Sequence, residues 1–196
     1  MPVEKLTRAF YDRDTLEVAR DLLGCHLIHR VAGEELVVRI TETEAYIGAV
    51  DKACHAYGGR RTARTETLYA RPGTAYVYLI YGMYHCLNFV TEGEGTAAAV
   101  LLRGVEAVEG ADRMARNRFG RDLSQLTAYQ RKNFLNGPGK VCKAMAITRA
   151  HNGLDLTGET LFLCGGGLPA GEIHAGKRIG IDYAEEAVDF PWRFWI

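Results

Sequence analysis

Apolar positions recur with two different periods along this chain, and the changes of period divide it into elements. Asp14 followed by Thr15, Leu16 and Glu17 reads as a helix cap with an acidic partner three residues on. Leu16, Ala19, Leu22 and Leu23 then share one helical face, which Gly24 ends. Residues 25–31 and 35–46 read as strands around an Ala32-Gly33-Glu34 turn. In the second of these Leu36, Val38 and Ile40 share one parity, and Val37, Arg39 and Thr41 take the other. Residues 48–72 hold no period and read as a long ordered loop, more often functional than idle at that length. The clearest hairpin is a β-rich run at 74–81, then Gly82, then 83–90. Another apolar strand is expected at 97–105, and helices near 108–117, 123–134 and 140–147. Short strands follow at 160–164 and 177–181, before the aromatic end Trp192-Arg193-Phe194-Trp195. With no repeat, low-complexity tract or linker, residues 1–196 read as a single mixed α/β domain, predominantly antiparallel.

Composition narrows the class. The chain has 196 residues, of which 47% are hydrophobic, as expected for one sizeable core. No apolar run approaches a membrane span. The first ten residues mix Glu4, Lys5 and Arg8 without a signal core, so a cytoplasmic location, acting at the nucleoid, is expected. The five cysteines (Cys25, Cys54, Cys86, Cys142 and Cys164) form no CxxC pair and no zinc-ligand spacing. Buried thiols in a reducing compartment are the expectation, with no metal. Net charge is zero, but residues 60–149 carry fourteen Lys and Arg against seven Asp and Glu, while both flanks are acidic. Arginine outnumbers lysine eighteen to six, a bias suited to bidentate phosphate contacts. A basic segment in a neutral protein is a plausible nucleic-acid footprint.

Two segments carry candidate chemistry. If the second strand continues past Ile40, Glu42, Glu44 and Tyr46 fall on the side that Val38 and Ile40 assign to the interior. A carboxylate there is costly unless it is bonded or used, which suggests a general base at a pocket floor with Tyr46 as a wall. The alternative is that the strand ends at Ile40 and both glutamates meet water. The other segment is the aromatic hairpin. Tyr76 and Tyr84 fit ordinary strand packing, whereas Tyr81 sits beside Gly82 at the turn, flanked by a basic loop, and has the shape of a wedge for stacked duplex. Asn88, sharing parity with Tyr84 and Cys86, is either a structural amide or a reader of base edges. His55 has no second histidine near it in sequence, so metal ligation is not expected. Gly165-Gly166-Gly167 lacks the lysine and the serine or threonine of a phosphate loop. Gly137-Pro138-Gly139-Lys140 reads as a turn whose helix start can bind a DNA phosphate.

These residues resemble those of a known family. Glu42-Thr43-Glu44-Ala45-Tyr46, His55, Gly58-Gly59-Arg60, Arg71-Pro72-Gly73 and Tyr76-Val77-Tyr78-Leu79-Ile80-Tyr81-Gly82-Met83-Tyr84 match the alkyladenine (3-methyladenine) DNA glycosylases in order. So do Asn88, Val100-Leu101-Leu102-Arg103, Gly137-Pro138-Gly139-Lys140 and Ala144-Met145-Ala146-Ile147, and the resemblance covers essentially the whole chain. It implies a curved antiparallel sheet with flanking helices and a protruding aromatic hairpin, similar to the C-terminal domain of formyltransferases. It implies a monofunctional glycosylase that releases 3-methyladenine, 7-methylguanine, hypoxanthine or 1,N6-ethenoadenine from double-stranded DNA and leaves an abasic site. By the same resemblance Glu44 deprotonates the attacking water. Tyr46, His55 and Tyr78 line the base pocket, Tyr81 fills the gap in the duplex, and Asn88 excludes guanine. Arg103 matches an arginine near the bound DNA, with phosphate positioning its expected role. Arg60, Arg64 and Lys140 are the other expected DNA contacts.

No cofactor, membrane or obligate protein partner is expected, and one module can act as a monomer. The nearest lysine, Lys52, lies in a loop beside Asp51, so no Schiff-base lyase step is expected. The basic loop departs from the family: Thr65 follows Thr62-Ala63-Arg64, where Thr-x-Arg-Asn is common. Family-like sequence begins by about Leu6, so the long N-terminal extension of mammalian members is not expected. A noncatalytic nucleic-acid-binding module and a formyltransferase-like fragment are the competing readings. Glu44 argues against the first and an aromatic at the turn against the second.

Overall fold

A short helix α1 (Arg8–Tyr11) leads into α2 (Thr15–Asp21), whose start is held as the sequence implies. The Asp14 carboxylate accepts from the N–H of Leu16 at 2.9 Å and of Glu17 at 3.1 Å, a cap that contributes about 1 kcal/mol. Val18, Ala19, Leu22 and Leu23 are fully buried. The computed structural model describes residues 4–166 and 173–196; residues 1–3 of the expected leader-free start and Gly167 of the triple-glycine run lie outside the described residues. No helix among the described residues is long and apolar enough to cross a membrane.

Strands β1 (His26–Val31) and β2 (Glu34–Ile47) turn about Ala32 and Gly33, both at left-handed φ, the geometry that matches strand twist. They join β3 (Ala75–Ile80), β4 (Tyr84–Val90), β5 (Ala98–Glu109) and β6 (Leu161–Cys164) in the order β3-β4-β5-β2-β1-β6. Two short strands, β7 (His174–Gly176) and β8 (Arg193–Trp195), pair with each other, and β8 also pairs with β2. Every pairing is antiparallel, and the sheet curls into a half-barrel. The mixed α/β, mainly antiparallel reading therefore stands.

Helices α2, α3 (Ala111–Phe119) and α5 (Pro138–Ala144) cover one face of this sheet. They meet Ala75 and Val77 of β3, Leu87 and Phe89 of β4, Val100 and Leu102 of β5, and Leu36, Val38 and Ile40 of β2 in the main core. The other face carries Tyr76, Val90 and Ala99, covered by Cys54, Ala56 and Leu68 of the long loop. Tyr46 also meets Ile181, Ala184 and Ala187 of the chain's last quarter. All five cysteines are buried and none is in a disulfide.

Several expected boundaries move for identifiable reasons. Strand β5 runs on to Glu109 because residues 105–109 continue pairing with β2, so the helix expected from 108 begins only at Ala111, after Gly110 turns at φ 77°. The helix expected over 123–134 is cut in two by successive capping boxes, Asp122 with Gln125 and Thr127 with Gln130. What remains is a 3-10 turn at Leu123–Gln125 and α4 (Ala128–Lys132). The helix expected at 140–147 starts earlier, with Pro138 in its first turn, and ends before Ala146, which takes φ 56°. Residues 177–181 are not the expected strand. The N–H of Ile179 donates to the Glu44 side chain instead of a neighbouring strand.

The most consequential difference lies within β2. The strand does not stop at Ile40, so the reading that places both glutamates in water fails; Glu44 is 0% exposed. Simple parity fails as well. Pairing with β5 runs Ile40 to Val105, Glu42 to Gly104 and Thr43 to Leu102, leaving Thr41 and Arg103 as one extra residue in each strand. Beyond this double irregularity the parity inverts. Thr43 and Ala45 now face the helices, the Thr43 hydroxyl donating to the Ala19 carbonyl at 2.7 Å. Glu44 and Tyr46 point to the opposite face. Gly104 permits the close approach, because a Cβ there would stand 3.0 Å from the Cβ of Glu42.

Candidate active site

Between the loop-covered face of the sheet and residues 179–183 lies a cleft of about 630 Å³, within the usual range for a small-molecule site. Its walls are largely aromatic: Tyr46 from β2, Tyr76 and Tyr78 from β3, and His55 from the loop. The sequence places tyrosines at alternating positions 76 and 78, so strand geometry alone delivers both rings to one side. Their centroids are 5.3 Å apart, and His55 meets Tyr78 edge-on at 4.6 Å.

Glu44 lies beside this cleft with both carboxylate oxygens engaged. Oε1 accepts from the Ile179 N–H at 2.8 Å and Oε2 from the Tyr46 hydroxyl at 2.8 Å. The Arg103 Nε is 3.4 Å from Oε1, and it also donates to Glu42 at 3.2 Å. Burial raises the Glu44 pKa; Arg103, the Ile179 N–H and the Tyr46 hydroxyl oppose that rise, while Glu42 adds to it. The result is a carboxylate that takes a proton more readily than an exposed one yet is wired for the charged form. Burial and the Glu44 charge together hold the Tyr46 phenol well above its ordinary value, so it stays a donor.

His55 is the opposite case. Burial first, then Arg64, lowers its pKa from 6.5 to about 4, leaving the imidazole neutral near pH 7. Its Nδ1 lies 3.0 Å from the Tyr76 hydroxyl. This contact gives Tyr76, read from sequence as packing alone, a polar partner in the cleft wall. Asn88, buried on β4 and lining the cleft, donates from Nδ2 to the Tyr76 carbonyl at 3.1 Å. That bond fixes the orientation of its amide, so the structural reading holds for its nitrogen.

Comparison with known proteins gives this arrangement a family. Residues 9–196 match the family model described as methylpurine-DNA glycosylase. The chain is 56% identical over 192 residues to a protein of Alkaliphilus oremlandii provisionally named 3-methyladenine DNA glycosylase, covering 98% of this chain and 95% of that one. Similarly named proteins of Clostridium perfringens strain SM101 and Desulfitobacterium hafniense are 52% and 48% identical, covering 98% and 99% of this chain and 95% and 96% of their own lengths. The chain belongs to the methylpurine-DNA glycosylase family.

In this family member Tyr81, Lys140 and Arg103 line the cleft, and Arg60 and Arg64 lie on a separate cavity. Tyr81 crowns the β3–β4 hairpin, 80% exposed, with φ 53° beside Gly82 at φ 68°. Left-handed φ is uncommon for so bulky a residue, and here it accompanies the tight turn that the Met83 N–H closes on the Ile80 carbonyl at 3.2 Å. Arg60 and Arg64 are exposed on the loop and border a smaller cavity of about 360 Å³ behind His55. Lys140, in the first turn of α5, lines the cleft and donates to the Asn136 side chain at 2.8 Å. Arg103 is the exception among the expected DNA contacts. Its side chain is only 14% exposed and faces the carboxylates of Glu42 and Glu44.

Sequence reading missed the contribution of the chain's last quarter. Ile179 supplies a donor to Glu44, and Arg178 and Asp51 form a fully buried ion pair under Tyr46. A backbone N–H carries no sequence signal, and residues 127 positions apart cannot be paired by local pattern. Arg118, on α3, also reaches the cleft.

Proposed function

We propose that this member of the methylpurine-DNA glycosylase family hydrolyses the N-glycosidic bond of damaged purines flipped from duplex DNA, with Glu44 as general base. The observation that carries this reading is a fully buried carboxylate of raised pKa, set beside an aromatic cleft large enough for a base. A general base works best with a pKa brought toward the operating pH, and burial moves Glu44 in that direction. The Tyr46 hydroxyl and Ile179 N–H aim the carboxylate, and Oε2, which accepts only from Tyr46 among the described residues, keeps a lone pair for a water. Glu44 takes a proton from that water as its oxygen attacks C1′ of the sugar. The bond to the base nitrogen breaks, and its electron pair leaves with the purine. An abasic site remains.

Substrate breadth follows from how the base is held. Cationic bases such as 3-methyladenine and 7-methylguanine leave readily, and the faces of Tyr46 and Tyr78 favour positive charge by about 0.5–2 kcal/mol. Neutral hypoxanthine and 1,N6-ethenoadenine lack that help and depend on hydrogen bonds to the leaving base, for which the neutral ring of His55 is suited. Asn88 stands against the exocyclic amine of guanine and refuses it by sterics and an unmet hydrogen bond. Tyr81 enters the duplex where the base has left. Arg60, Arg64 and Lys140 hold phosphates, whereas the contacts of Arg103 suit it to steadying Glu44 rather than gripping the backbone. Lys52 is ion-paired to Glu185 and Glu186 at 2.6 and 2.8 Å, which keeps it protonated and a poor nucleophile, so the glycosylase is monofunctional in this reading.

The deciding assay uses duplexes with a single 7-methylguanine, hypoxanthine or ethenoadenine, scored separately for base release and strand cleavage. Release without cleavage until alkali is added is expected. Tight duplex binding with no release from any lesion would instead support a noncatalytic nucleic-acid-binding module.

A further inference from the structure

We propose that the buried Arg178–Asp51 pair is a positioning element for the reaction: it sets the placement of Glu44 and Tyr46 rather than only holding the fold together. The pair has no exposed side-chain surface. Nη1 of Arg178 donates to Asp51 Oδ2 at 2.6 Å and Nη2 to Oδ1 at 2.8 Å, a two-point grip that fixes the guanidinium plane. The same two nitrogens donate to the carbonyls of Ala45 at 2.8 Å and Ala187 at 3.2 Å. Nε, although buried, has no hydrogen-bond partner among the described residues.

Those contacts converge on the catalytic apparatus from both sides. Ala45 is the residue between Glu44 and Tyr46, so one bond pins β2 at that point. The guanidinium carbon lies 4.7 Å from the Tyr46 ring centroid and 5.1 Å from that of Trp192, filling the space behind the Tyr46 ring. Ile179, whose N–H holds Glu44 Oε1, is the next residue after Arg178. Asp51 in turn accepts from the N–H of Ile47 and of Ala53, and Ala53 lines the cleft. One guanidinium thus ties the carboxylate's strand, its backbone donor and the loop wall of the pocket into a fixed mutual position. A core serving stability alone does not require this: an apolar pair of similar volume often replaces a buried ion pair at no loss, whereas deleting one partner strands a charge.

The experiment rests on the glycosylase reading above and uses the 196-residue chain. The double variant Asp51→Asn with Arg178→Met removes both charges together, and Arg178→Lys keeps the charge but loses the two-point grip. For each, three quantities are measured: the melting temperature, affinity for a duplex bearing 7-methylguanine, and the single-turnover excision rate constant from pH 5 to 9. The rate constant reports only folded, bound enzyme, so mere loss of folded protein lowers amplitude and leaves it unchanged.

A positioning role predicts near-parental duplex affinity, a rate constant lower by about 10- to 100-fold in the double variant, and a smaller fall in Arg178→Lys. It also predicts that the acid limb of the profile moves to higher pH, since loosening the Ile179 and Tyr46 bonds weakens the charged form of Glu44. The other ionisable neighbours of Glu44, namely Glu42, Tyr46 and Arg103, are unaltered in these variants. Should the double variant fail to fold, Arg178→Lys decides. A parental rate constant and acid limb in whichever variant folds would overturn the inference and reduce the pair to a structural brace. An inactive parent would overturn the glycosylase reading instead.

Discussion

The two halves of β2 form one continuous strand but obey opposite rules. From Leu36 to Ile40 its buried residues are apolar and meet helix-facing neighbours in the main core. From Glu42 to Tyr46 the strand turns a carboxylate and a phenol to the other face, where each buried polar atom is matched by a donor or acceptor. The first half gains stability from burial of apolar area. The second half gives up some of that gain by burying ionisable groups, and holds a carboxylate beside the cleft in return. The paired irregularity at Thr41 and Arg103 is what allows both in one strand.

Substitutions on either side should therefore separate activity from stability. The largest effect is expected from Glu44→Gln, which keeps shape and removes the base: single-turnover excision should fall by about 10²-fold or more with damaged-duplex affinity retained. Because burial raises the folded pKa of Glu44 above its unfolded value, its contribution to stability is complete below the unfolded pKa and is lost as pH rises through the folded one. At neutral pH the glutamine variant should thus melt no lower than the parent. A rate within threefold of the parent, or a marked drop in melting temperature, would break the contrast.

On the helix side, Leu102→Ala should do the reverse. Leu102 pairs with Thr43 and is buried in the main core, so truncation should cost about 2–5 kcal/mol by denaturant titration, with little change in the excision rate constant of the folded fraction. A rate constant that falls in step with stability would mean that the two faces are mechanically coupled.

Tyr81→Ala sharpens the comparison at the hairpin tip, where exposure leaves little folding energy to lose. It should weaken retention of the flipped nucleotide by about 1–3 kcal/mol without shifting the melting temperature. A fluorescent base analogue at the lesion reads this directly, and the defect should shrink when the lesion is already unpaired. Equal signals from both proteins would remove Tyr81 from the flipping step.

The effect smallest at neutral pH is the one contributed by His55, and it grows as the medium is acidified. Its folded pKa, about 4, lies below the ordinary 6.5, so the stability it contributes is present above about 6.5 and is lost as pH falls toward 4. The difference in stability between the parent and His55→Gln should be constant above pH 7 and shift against the parent below it. A flat difference from pH 7 to 4 would show that His55 is already solvated in the folded state.

Much of the site was legible because its parts are local. Tyr76 and Tyr78 alternate along β3, Tyr81 adjoins a turn glycine, and the Glu44 to Tyr46 segment is short enough for its motif to mark it. Parity reached the right conclusion for Glu44, burial, through the wrong face, since pairing irregularities depend on the partner strand and leave no reliable mark in one strand's pattern. The boundaries of α3 and β5 moved for the same reason: residues 105–109 are strand because β2 lies beside them.

The sequence by itself determined the alternating strands, the capped helix, the basic segment and the aromatic hairpin, each encoded within a few residues by side-chain periodicity and turn chemistry. Only the tertiary structure decided which face Glu44 enters, that Arg103 turns to carboxylates, and that Arg178 meets Asp51 beneath Tyr46. Those outcomes depend on contacts between segments far apart in the chain, and on the cost of leaving a buried charge unpaired, which acts only once the chain has closed around it.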